Sequence, residues 1–132
     1  MLGFGVYRRW VRGDPRRLGR WGERRVRRHL RRKGWRILAR NWRHEGGELD
    51  VVAADPQGVI VFVEVKSRRD EMWAQAQDAV GPEKRRHLTH LAQSFVRAYK
   101  IKDRPLRFDV VAVVLPESGP VELRHYENAF RP

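Results

Sequence analysis

The run Val63-Glu64-Val65-Lys66 sets a carboxylate and an ammonium two residues apart, so in an extended strand both leave the same face. The rest of that run, from Val59, is hydrocarbon, and charges in a sheet centre are costly unless paired or bound to a metal. Upstream, Asp50 closes Gly46-Gly47-Glu48-Leu49-Asp50 and leads into a second apolar run. The intervening Asp55-Pro56-Gln57-Gly58 reads as a turn joining the two runs into an antiparallel hairpin, so Asp50 and Glu64 can converge. Two carboxylates on one strand pair suit a hard divalent cation, Mg2+ or Mn2+, which prefers oxygen ligands and often touches substrate phosphate. Asp50 and Glu64 are the expected metal ligands. The cation would orient an attacking water, and Lys66 would position that water or neutralise charge growing on phosphate, which is the chemistry of phosphodiester hydrolysis. A buried Asp/Glu–Lys network that only fixes strand register is the competing reading.

These residues need elements to hold them. The spacing predicts a first helix from about Leu18 to Lys33, bounded by Gly34, with Gly22, Val26 and Leu30 on its inward stripe and arginine over most of the rest. Glu23 falls on the inward side and is a further candidate catalytic carboxylate, the alternative being an intrahelical partner for Arg27. Strands are expected over Trp35–Arg40, Glu48–Ala54 and Val59–Lys66, the third apolar on both faces and therefore mid-sheet. Gly81-Pro82 opens a second helix through about Tyr99, with Lys84, Leu88, Leu91, Ala92, Phe95 and Tyr99 inward; Lys84 either faces phosphate or snorkels from the first turn. Leu106–Leu115 is a fourth strand, and Val121–Tyr126 an edge strand. Glu48 shares a face with Asp50 and is equally a ligand or a rim charge. Asp109 reads as an ion-pair partner of Arg107.

The net charge is +13 over 132 residues, and all of the excess lies in residues 1–43, which carry +14 against −1 for the remainder. So one-sided a block attracts polyanions, phosphate backbones first. Arg24, Arg27, Arg28, Arg31, Arg43, Arg68 and Lys84 are the expected nucleic-acid contacts. Trp10, Trp21 and Trp42 are interleaved with arginine, which permits base stacking, although packing on the sheet explains Trp21 and Trp42 equally well. Residues 1–17 read as a flexible basic arm and 18–132 as one domain. There is no cysteine, which excludes disulfides, thiolate zinc sites and cysteine nucleophiles. The five histidines show no metal-pair spacing, and no phosphate-cradling glycine motif argues for nucleotide-triphosphate hydrolysis. No signal-peptide pattern or membrane-length apolar run is present, so the expected location is the cytoplasm, with no membrane partner.

Taken in order, Gly22-Glu23, Gly47-Glu48-Leu49-Asp50, Phe62-Val63-Glu64-Val65-Lys66-Ser67-Arg68, Arg107-Phe108-Asp109-Val110-Val111 and Asn128-Ala129-Phe130 resemble the bacterial YraN-like family over about residues 18–130. That family is similar in fold to Holliday-junction resolvases and PD-(D/E)XK nucleases. The resemblance implies an α/β fold with a restriction-endonuclease-like αβββαβ core, a mixed central sheet flanked by helices. It puts Asp50 at the aspartate position, Glu64 and Lys66 at the E-x-K positions, and Glu23 at the first-helix acid of resolvase-like members; Leu49 stands where the superfamily name expects proline. The implied activity is a metal-dependent endonuclease acting on DNA, branched or structured forms included, with RNA an open alternative; cutting symmetric junctions would call for a homodimer. A non-catalytic nucleic-acid-binding protein of the same fold, or a protein whose basic block docks on RNA or an acidic partner, are the other readings.

Overall fold

The computed structural model describes residues 3–70 and 80–131. Its elements are α1 (Gly3–Arg12), α2 (Pro15–Arg32), β1 (Arg36–His44), β2 (Gly47–Ala54), β3 (Ile60–Arg68), α3 (Pro82–Ala98), β4 (Leu106–Val114) and β5 (Glu122–Phe130). The strands form one sheet whose spatial order is β1-β2-β3-β4-β5. β1/β2, β2/β3 and β4/β5 are antiparallel, while β3/β4 is parallel, with α3 in the crossover. This is the mixed α/β architecture expected from the sequence.

Local chemistry explains the boundaries. Asp14 caps α2 by accepting from the Arg16 amide at 3.0 Å, and Pro15 occupies the first turn, where its missing N–H costs nothing. At the other end Gly34, at φ 82°, turns the chain so that the Trp35 amide donates to the Leu30 carbonyl. The β2–β3 hairpin is built on Asp55, whose carboxylate accepts from the Gln57 and Val59 amides, with Gly58 at φ 88°.

The sheet is buried on both faces. α2 lays Val26 and Leu30 over Val51, Ala53, Val61, Val63, Val111 and Val113. α3 lays Leu88, Leu91 and Phe95 over Val52, Phe62, Phe108 and Val110. Ile60 to Val63 are all buried, as a mid-sheet strand requires, and each fully buried side chain of this size contributes ~1.5–3 kcal/mol. Gly22 is where α2 comes closest: a side chain there would run into the Ser67 hydroxyl of β3.

The N-terminal stretch differs from the expected flexible arm. Residues 3–12 form α1, and α2 starts at Pro15 rather than Leu18. Val11 is buried with Leu18 and Leu115, while the Arg8 guanidinium donates to the Pro116 and Gly119 carbonyls and Arg12 to that of Leu115. Capping of main-chain carbonyls by arginine over more than a hundred residues of sequence leaves no local trace to read. The last strand also runs to Phe130, further than the sequence pattern marks it.

Candidate metal centre

The centre lies where β2 and β3 part. Their ladder ends at the Val51–Val63 pair, so Asp50 and Glu64, which would come next, are not paired through their backbones. The Asp50 carboxylate takes over from the missing ladder partner, accepting the Val65 amide at 2.9 Å. On the outer side β1 is distorted at Asn41, whose φ of 47° lies in the left-handed region that asparagine tolerates better than most residues. The Asn41 side-chain amide donates both to Glu23 Oε1 (3.1 Å) and to Glu48 Oε1 (2.8 Å), tying α2 to β2 across β1. Gly22, by letting α2 rest on Ser67, sets the neighbouring Glu23 at sheet level.

One carboxylate oxygen from each of Glu23, Glu48 and Asp50 lies within 4.8 Å of the others, all three half-buried. Their cationic compensation is slight: Glu48 meets the largely exposed Arg43 at 3.3 Å, and Glu23 has no ion pair among the described residues, the expected pairing with Arg27 being absent. Burial, then the charge of Glu64, push the Asp50 carboxyl up to about 7; Glu23 and Glu48 add to this, and the Val65 N–H opposes it. Such a group of oxygen donors, short of positive charge and open to solvent, fits a hard divalent cation.

Glu64 stands beside this trio rather than within it. Its Oε1 receives Lys84 Nζ at 2.8 Å and Lys66 Nζ at 3.3 Å, with the Glu64 and Lys66 side chains almost wholly covered. Burial works against the Lys84 ammonium, but the hydrogen bond and charge of Glu64, with Asp50 behind, raise its pKa on balance. The carboxylates that could share an ion are thus Asp50, Glu23 and Glu48, while Glu64, the other expected ligand, organises two lysines next to Asp50. Lys84, ambiguous in the sequence, reaches the site.

Arg24, Arg27, Arg28 and Arg31 lie together in a groove on α2 that also takes in Arg32 and Arg40. Arg43 sits at Glu48, and Arg68 turns back to the Ser67 carbonyl at 3.0 Å. Sequence reasoning missed Asn41, Arg32 and Arg40; Asn41 lies just beyond the strand expected over Trp35–Arg40, which the structure extends to His44. Asp109 is the expected structural residue: fully buried, it accepts two bonds from Arg107 (2.9 and 3.0 Å), one from the Asn128 amide (2.9 Å) and lies 2.8 Å from His125 Nε2. His125 in turn meets His29 at 3.2 Å, so two histidines that the sequence leaves apart are partners, though not as a metal pair. Trp21 and Trp42 pack against the two core faces, whereas Trp10 is exposed beneath the Arg17 guanidinium. Among the described residues no helix is long and apolar enough to cross a membrane.

Comparison with known proteins gives this geometry a family. The family model described as "Uncharacterised protein family UPF0102" matches residues 22–113, a span holding Glu23, Glu48, Asp50, Glu64, Lys66 and Lys84 but not α1 or β5. A UPF0102 protein of Pelobacter propionicus is 42% identical over 121 residues, covering 91% of this chain and 86% of its own. A relative from Bifidobacterium longum subsp. infantis is 39% identical over 118 residues (88% and 94%), and one from Symbiobacterium thermophilum 41% over 115 (87% and 97%). With two thirds of its length matched by the family model and nearly all of it by such relatives, the chain belongs to the UPF0102 family, the YraN-like family that its motifs resemble.

Proposed function

We propose that this protein is a divalent-metal-dependent nuclease that hydrolyses phosphodiester bonds in nucleic acid, DNA in preference to RNA. The observation that carries the reading is the meeting of Glu23, Glu48 and Asp50 within 4.8 Å, next to a carboxylate that holds two lysines. Register maintenance alone would not need two further acids set where they work against the ionisation of Asp50.

Glu23, Glu48 and Asp50 would hold the cation, Mg2+ or Mn2+. When bound, the ion supplies Lewis acidity toward phosphoryl oxygen and makes water more acidic. The chain's own groups do the remainder. Asn41 clamps Glu23 and Glu48 in one arrangement, so little side-chain freedom is left to lose when they act together. Glu64 keeps the Lys66 and Lys84 ammoniums at the rim, where they can hold a water for attack or offset negative charge growing on phosphate. The basic α2 surface draws the strand in and lets it be held through its backbone, independently of base sequence. A branched or otherwise structured substrate, and a dimer to cut it symmetrically, accord with the resolvase-like resemblance.

The test is cleavage of branched, duplex and single-stranded DNA, and of RNA, with Mg2+ or Mn2+, by the wild type and by Asp50→Asn and Glu64→Ala. Metal-dependent cleavage lost in both variants supports the proposal; no cleavage of any substrate, or cleavage that survives in Asp50→Asn, overturns it. The groove of arginines favours a second reading, a nucleic-acid binder without catalysis, which predicts tight, salt-sensitive binding that ignores both substitutions.

A further inference from the structure

Six arginines, Arg24, Arg27, Arg28, Arg31, Arg32 and Arg40, line a groove of about 440 Å³ between α2 and β1, within the ~300–1,000 Å³ usual for ligand clefts. No acid lines it. None of the six guanidiniums has a hydrogen bond, ion pair or ring contact among the described residues, whereas Arg8, Arg12, Arg17, Arg43 and Arg107 are all engaged elsewhere. Arg27 is the telling member: it lines the groove yet is only 6% exposed, with no partner for its guanidinium among the described residues.

A guanidinium is seldom buried without an acceptor, because the desolvated charge has nothing to repay it. Burial, then Arg40, lower the Arg27 pKa; Glu23 alone opposes them, so its neighbours aggravate the imbalance. The missing acceptor must be anionic and rich in oxygens to satisfy forked donors converging from a helix and a strand, and phosphate has that geometry. Position supplies the second argument. Arg27 lies one helical turn beyond Glu23, about 6 Å along the axis, and Arg31 one turn further. That step is comparable to the distance from one phosphate to the next along a strand.

We propose that this groove is a phosphate-binding subsite with Arg27 at its floor, holding phosphates of the nucleic-acid strand next to the one presented to Glu23, Glu48 and Asp50. The site deepens the nuclease reading, but binding measured in chelator, without cleavage, tests it apart from catalysis.

The experiment follows fluorescence anisotropy of labelled single-stranded and duplex oligonucleotides, each with and without a 5′-phosphate, across a salt series in chelator. Arg27→Gln is expected to weaken binding ~10-fold and to lower the log–log salt slope by about one. Arg25→Gln, on the same helix outside the groove, should cost less than about 2-fold if the groove, and not bulk charge, is responsible. A loss in Arg27→Gln that is equal with and without the 5′-phosphate assigns the groove to the strand backbone. A larger loss with the phosphorylated end assigns it to the terminus, and both support the site. Equal effects of Arg25→Gln and Arg27→Gln, an unchanged Arg27→Gln, or inorganic pyrophosphate competing without any Arg27 effect on oligonucleotide binding, overturn it. Should Arg27→Gln not fold, as judged by circular dichroism, Arg31→Gln at the rim is read against the same outcomes.

Discussion

Replacing Asp50 by asparagine should make the metal-free protein more stable, and more so as the pH rises. Burial and three neighbouring carboxylates hold this acid at about 7 against an ordinary 3.8. A carboxyl whose pKa is higher folded than unfolded favours the fold at low pH, and that advantage drains away as the pH climbs through the folded value. Each pH unit in that interval removes about 1.4 kcal/mol, so above pH 7 the ionised carboxylate costs the fold about 4 kcal/mol. The amide of the Asp50→Asn variant would keep the shape and an oxygen for the Val65 N–H while carrying no charge. Thermal and urea melts in chelator should therefore show no difference near pH 4, growing to about 4 kcal/mol, or roughly 15 °C, in favour of the variant near pH 8. Saturating Mg2+ should narrow the gap: at ~100 times its Kd a ligand adds about 2.7 kcal/mol to the form that binds it, which offsets most of the about 4 kcal/mol, and the variant has lost a ligand oxygen. A difference between the two proteins that is flat across this pH range, or a variant less stable at every pH, would refute the reasoning. Because the variant is expected to fold well, its loss of cleavage cannot be put down to unfolding.

Gly22→Ala should destabilise by ~1–3 kcal/mol, since the methyl group meets Ser67, and adding Ser67→Gly should restore most of the loss in a denaturant melt. Asp109→Ala takes from Arg107 its nearest partner, leaving only the longer ion pairs to Asp55 and Glu127, and should cost ~3 kcal/mol. Burial alone would raise the Asp109 pKa, but His125, Arg107 and the Asn128 amide bring it below the ordinary value, so its contribution is full above that value and lost in acid; the variant's acid-unfolding limb should be correspondingly shallower. Lys84→Met should lower kcat of any cleavage ~100-fold while changing stability by less than about 1 kcal/mol, because the lysine is partly exposed.

Which parts of this molecule could be read from its residues follows from how local their causes are. The strand Ile60–Arg68 is legible because its hydrocarbon continues on both faces, and the hairpin because Asp55 and Gly58 supply their own turn chemistry. Asp50, Glu64, Lys66 and Glu23 stand out as charges on otherwise inward positions. What cannot be read is that the strands part after Val51, where Asp50 bonds the Val65 amide instead of continuing the ladder, and that Asn41, out of the usual extended conformation, ties Glu23 to Glu48. A regular register sets Asp50 opposite Glu64; the actual divergence leaves Asp50 grouped with Glu48 and Glu23, with Glu64 alongside. Helix α1 escapes for another reason. Its anchors are Leu115, Pro116 and Gly119, at the far end of the sequence, and its own glycines argue against a helix.

A sheet whose strands lie side by side in the order they are synthesised asks little of the growing polypeptide. The first three strands close by short antiparallel turns as soon as residue 68 has emerged, and Glu23, Glu48 and Asp50 are by then all present. The parallel joint, the cover of α3 and the clasp of α1 on residues 115–119 must wait for distant chain. The acidic half of the centre can therefore take shape early in translation, before Lys84 arrives to complete its rim.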